Sequence, residues 1–107
     1  MKTLKFREAL SKLILKGKKN TTWRLFDDKD LSEGEIVSFL VWETNKEFAR
    51  AKLTEVRETT FGELTNEDRD GHEKFLSDEE MYNTYSGYYN RQVSRNSPVK
   101  IIKFELI

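Results

Sequence analysis

Apolar residues recur at helical spacing near the start of the chain. Phe6, Leu10, Leu13 and Ile14 stand at i, i+4, i+7 and i+8, with lysines on the opposite side. The pattern predicts a helix packed on a core and closed by Gly17, a residue that accepts the left-handed conformation ending many helices. The period then changes. Residues 20–26 (Asn-Thr-Thr-Trp-Arg-Leu-Phe) are β-branched and aromatic and predict a strand. Asp27, Asp28, Lys29 and Asp30 make a polar loop, and Leu31–Glu35 a turn. Ile36–Glu43 is apolar on both faces, as a central strand is. Thr44-Asn45-Lys46 turns the chain into a long strand, Glu47–Glu58, where Ala49, Ala51 and Leu53 alternate with polar residues. Val56 breaks that phase, which places a bulge near residues 54–56.

Two helix starts follow, at Thr65-Asn66-Glu67-Asp68 and Ser77-Asp78-Glu79-Glu80, each with an acidic residue three positions after a hydroxyl cap. The second predicts a helix over 78–86 carrying Met81, Tyr82 and Tyr85 on one side. Residues 90–98 form a loop holding Pro98, and Val99–Ile107 alternates as a closing strand. Nothing divides residues 1–107 into two domains. The order predicts an α+β fold: a small β-barrel with an N-terminal helix and a short helical insert before the last strand.

Composition narrows the chemistry. There is no cysteine and His72 is the only histidine, which excludes disulfides, iron–sulfur clusters, cysteine or multi-histidine zinc sites and thiol nucleophiles. No metal or cofactor is expected. No apolar run approaches the roughly 20 residues that span a bilayer, and no signal-peptide pattern is present, so the expectation is a soluble, cytoplasmic monomer. Nineteen basic residues balance nineteen acidic ones, yet the two are segregated. Residues 1–24 carry eight cations against Glu8 alone, whereas 61–90 carry eight carboxylates against Arg69 and Lys74. A basic segment of that kind offers a field to a polyanion.

Two clusters hold candidate chemistry. In Gly17-Lys18-Lys19-Asn20-Thr21-Thr22-Trp23-Arg24, an extended chain puts Thr22 and Arg24 on one face, within reach of Lys19. Lysine beside threonine is a base-and-nucleophile pair if burial lowers the amine's pKa, and arginine clamps a phosphate or carboxylate. The spacing is not that of a P-loop. In Asp68-Arg69-Asp70-Gly71-His72-Glu73, carboxylates flank the imidazole. His72 itself reads as a solvent-facing or helix-end residue. Among the aromatics, Trp23, Tyr88 and Tyr89 are read as stacking residues, and Trp42, Tyr82 and Tyr85 as core.

Gly17 through Arg24 resembles the Gly-x-Lys-x-x-Glu/Thr-x-Arg signature of ASCH domains, in the PUA-like β-barrel superfamily. The entry to the second strand at Leu31–Val37, the insert at Phe61–Thr65 and Asp70–Glu73, and the closing strand Ile101–Leu106 are similar to the family in order and spacing. The resemblance implies a PUA-like barrel whose cleft binds RNA or a modified nucleoside or nucleotide through Lys18, Lys19, Trp23 and Arg24. One branch, small N4-acetylcytidine amidohydrolases, uses Lys, Thr and Glu. Lys19 and Thr22 match its first two positions, with Asp70 or Glu73 as the carboxylate; Asp70-Gly71 stands where the family commonly has Glu-Gly. The implied alternatives to binding are therefore nucleoside deacylation by Thr22, Lys19 and a carboxylate, or cleavage of RNA.

Overall fold

Lys5 is exposed between buried Leu4 and Phe6, so the first ordered residues alternate in two-residue steps before the helical period begins. In the computed structural model, which describes residues 1–26 and 29–107, this stretch is a strand, β1 (Thr3–Phe6). Phe6 thus belongs to β1 rather than to the helix. The helix, α1, runs Glu8–Leu15 and turns Leu10 and Ile14 inward. Its end is a Schellman motif: Gly17 N–H donates to the Ile14 carbonyl and Lys18 N–H to that of Leu13, with Gly17 at φ +75°.

The remaining elements are β2 (Thr21–Arg24), β3 (Ile36–Val41), β4 (Glu47–Thr60), a 3-10 turn (Phe61–Glu63), α2 (Asn66–Arg69), α3 (Asp78–Tyr89) and β5 (Pro98–Leu106). Asp27 and Asp28 of the expected polar loop lie outside the described residues. The strands form one curled sheet in the order β1-β3-β4-β5-β2. β1 runs parallel to β3, and the other pairings are antiparallel. The ladder of β4 on β5 shifts register between Leu53 and Glu55, at the expected bulge. β1 and β2 are the two edges, and the seam between them is where the barrel stays open.

Both faces of the sheet are covered. One core gathers Leu4, Phe6, Ile14, Phe39, Leu53 and Phe104 beneath α1; the other gathers Trp23, Phe61, Met81, Tyr85 and Ile101 beneath α3. Adjacent Ile101 and Ile102 point into opposite cores, so β5 joins them. The acidic insert is held by its caps. Thr65 and Asp68 exchange side-chain and backbone hydrogen bonds at α2, and the second Asp68 oxygen meets Arg57. At α3, Ser77 accepts from Glu80 N–H, but the Glu80 carboxylate accepts from Leu76 N–H rather than from Ser77 N–H, so only half of a reciprocal capping box is made. Three more residues than expected are helical, and Asn90, in the left-handed region at φ 53°, ends α3. Among the described residues no helix is long and apolar enough to cross a membrane.

Candidate functional site

The site is built by docking the insert along β2. The Gly71 carbonyl accepts from both Asn20 N–H and Thr21 N–H, at 2.9 and 3.2 Å. Thr21 Oγ1 donates to the Asp70 carbonyl at 2.9 Å, and Trp23 Nε1 donates to that of Asp68 at 3.2 Å. Gly71 is required here. Its φ is +79°, and a Cβ would sit 1.7 Å from Asn20 Oδ1.

This docking delivers Glu73 to Lys19. Lys19 is 2 % exposed, donates to the Thr21 carbonyl at 2.7 Å, and lies 2.7 Å from Glu73 Oε2. Burial lowers its pKa; the Glu73 carboxylate opposes that shift, and Arg24 adds to it. His72 stacks on Trp23 with ring centroids 3.7 Å apart and planes at 14°. Its Nδ1 lies 2.8 Å from the Glu73 carbonyl, which only accepts, so Nδ1 carries the proton. Nε2 therefore accepts from the Tyr85 hydroxyl at 3.0 Å. Glu73 Oε1 also lies 3.1 Å from Nε2, but this is no ion pair at neutral pH. Burial first, then Lys19, pushes the His72 pKa down to about 3. Burial likewise raises Tyr85 well above the usual phenol value, so it remains a phenol.

Above the pair lies a cleft of about 330 Å³ at the seam between β1 and β2. Lys19, Thr22 and Glu73 form its polar floor, and Leu10, Trp42, Tyr88 and Tyr89 are among its walls. Arg24 clasps the seam. Its Nη2 donates to the Lys5 carbonyl of β1 at 2.7 Å, its Nε to Thr22 Oγ1 at 3.3 Å, and its guanidinium lies 4.6 Å from the Phe6 ring centroid.

The cleft therefore brings together Lys19, Thr22, Trp23, Arg24 and Glu73. Lys18 and Asp70 are exposed and outside its lining, and Asp70 contributes its carbonyl rather than its carboxylate. The two tryptophans exchange their expected places. Trp23 is 3 % exposed under His72, whereas Trp42 is 53 % exposed with Lys5 Nζ at 5.6 Å and Arg7 Cζ at 5.0 Å from its ring. His72, expected at the surface, is buried. Lys5, Arg7 and Leu10 join the site unanticipated, because their places depend on β1 entering the sheet. Among the described residues no group of three or more His, Asp or Glu side chains is arranged to hold a metal.

Solved structures share this architecture. The ASCH domain of Lactobacillus crispatus JV V101 superposes over 98 % of this chain and 79 % of its own, with TM-score 0.73 at 13 % identity. The fold is that of an ASCH domain. Protein EF3133 of Enterococcus faecalis V583, of family DUF984, matches over 100 % of this chain and 76 % of its own, with TM-score 0.79 and 15 % identity. Hypothetical protein PH0355 matches end to end, with TM-score 0.75 and 28 % identity. No family model and no curated protein matches the sequence. On this ASCH fold the cleft falls at the open seam, where both edge strands and the insert meet.

A histidine whose pKa is depressed in the fold stays neutral there, while the unfolded chain takes up a proton below about pH 6.5. The stability His72 contributes is thus complete above pH 6.5 and is lost as pH falls toward 3. Between pH 6.5 and 5 the unfolding free energy from urea titration should fall by about 1 kcal/mol per pH unit in the wild type. His72→Gln should show a shallower fall, and equal slopes would refute a buried neutral imidazole.

Proposed function

We propose that the protein is an RNA- or nucleotide-binding ASCH domain that takes a base into the seam cleft. The observation carrying this reading is the cleft itself. Aromatic walls suit a flat ring, and its floor sets a donor, Lys19, beside an acceptor, Glu73, with Thr22 in the same lining. Paired donors and acceptors read the edge of an unstacked base, and aromatic side chains hold its faces. Lys5, Arg7 and Arg24 line the same cleft and would supply positive charge for the phosphates on either side.

The two kinds of contact separate in a salt titration, because only phosphate contacts release counterions. Binding of random-sequence single-stranded RNA should weaken steeply with salt. Arg7→Gln should reduce the log–log slope by about one. Lys19→Met should weaken binding by about tenfold or more and leave the slope unchanged. Lys19 is changed rather than Glu73 because Glu73 reaches the cleft and can hydrate, while an orphaned Lys19 costs about 3–5 kcal/mol. Wild-type affinity from both variants, with melting confirming the fold, contradicts the reading.

A second reading is hydrolytic, and the lowered Lys19 pKa beside Thr22 and Glu73 favours it. Lys19 would first pass a proton to Glu73, and Thr22 Oγ would attack an acyl carbon as the freed amine takes the threonine proton. The acyl–nitrogen bond then breaks, the amine leaves with a proton passed through Glu73, and water releases the acyl group from Thr22. Thr22 Oγ1 already accepts from Arg24, so its own proton points elsewhere. Incubation with N4-acetylcytidine should then yield cytidine and acetate, with Thr22→Val inactive. Absence of cytidine at micromolar folded enzyme removes this substrate and leaves binding as the function.

A further inference from the structure

Two aromatic residues next to the cleft are half exposed and each is covered by a cation. Trp42 forms part of the cleft wall at the end of β3, 53 % exposed, with Lys5 and Arg7 against its ring. Tyr89 also lines the cleft and packs edge-on against Phe26, with ring centroids 5.7 Å apart. Phe26 is 49 % exposed, outside the cleft lining, and carries the Arg91 guanidinium 4.4 Å from its ring centroid. Its backbone is in the left-handed region at φ 52°. Asparagines tolerate that region, as Asn45 and Asn90 do here, but a bulky aromatic does so against steric resistance. An apolar core explains neither ring, since both lie outside the two buried clusters.

Building on the cleft as a base-binding site, we propose that it is the middle station of a single-stranded RNA track three nucleotides long. One base lies in the cleft against Tyr88 and Tyr89, and its neighbours stack on the exposed part of Trp42, at the cleft's edge, and on Phe26. The partner is a polyanion with flat apolar faces because each platform offers both complements at once: a ring to stack on and a cation beside it for the adjoining phosphate. The nearby Glu43 carboxylate is already engaged, accepting from Glu8 N–H at the start of α1. A duplex keeps its base faces covered and cannot use such platforms.

The track predicts a dependence on length that a cleft alone does not. Fluorescein-labelled random-sequence RNA six-mer is displaced from the full chain by unlabelled competitors and followed by polarisation. The competitors are an equimolar mixture of the four ribonucleoside monophosphates and random-sequence RNA of two, three and six nucleotides. The three-mer should bind roughly tenfold or more tighter than the monophosphates, allowing for the flanking stacks and phosphates. The six-mer should then gain little. Trp42→Ala and Phe26→Ala should each cut the ratio of three-mer to monophosphate affinity several-fold, with circular dichroism confirming the fold. A ratio near one in the wild type, or a ratio unchanged in both variants, overturns the track. If monophosphates still bind and Lys19→Met weakens them, the cleft reading survives that failure. If no competitor and no labelled six-mer binds, cleft and track fall together.

Discussion

Lys19 holds its ammonium almost entirely out of water, and a charge so placed is tolerable only when the protein supplies what the solvent no longer does. The Thr21 carbonyl comes from two residues on, at the start of β2, but the counter-charge arrives from 54 positions away, on Glu73. That requirement organises the surrounding structure. Glu73 reaches Lys19 because Gly71 lies against the start of β2 without a Cβ, and because Asp68, Asp70 and Gly71 give their carbonyls to Trp23, Thr21 and Asn20. Once the insert is docked, His72 lies on the Trp23 ring, where burial holds it neutral.

The second constraint is the seam. With β1 parallel to β3 at one edge and β2 antiparallel to β5 at the other, the sheet curls without closing. Arg24 bridges the gap by a side chain rather than a strand ladder, leaving space above the Lys19–Glu73 pair. Segregated charge takes on meaning here. Two carboxylates of the acidic insert turn inward, Glu73 to Lys19 and Asp68 to Arg57 and its own helix cap; the others stay exposed, while the cleft lining carries Lys5, Arg7 and Arg24. A chain of zero net charge thereby presents a basic opening.

Local signals carried most of the secondary structure. Gly17 ends α1 as its position suggests, the β4 bulge lies where Val56 loses phase, and Thr65 with Asp68 forms the box that its spacing announces. β1 escaped because four alternating residues run straight into a helical stripe, and Phe6 satisfies both periods. The site was legible as residue types: Lys19, Thr22 and Arg24 fall together as one short motif. What was not legible depends on contacts distant in sequence. Arg24 beside Trp23 in the chain points to an exposed stacking ring, yet the docked insert buries Trp23. Trp42 lies in solvent at the end of β3 with Lys5 and Arg7, more than thirty positions away, against its ring. The choice between Asp70 and Glu73 is likewise made by which way the chain turns after Gly71.

The central claim is that the buried pair and the open seam make one base-binding site. A crystal structure of the protein with a random-sequence RNA three-mer, or with whichever single ribonucleoside monophosphate binds tightest, tests it most directly. The account predicts a base inside the seam cleft, one edge within hydrogen-bond distance of Lys19 Nζ and Glu73, and phosphate beside Arg7 or Arg24. A nucleotide held instead on the exposed lysines in and just after α1, Lys12, Lys16 and Lys18, with the cleft empty, would contradict it.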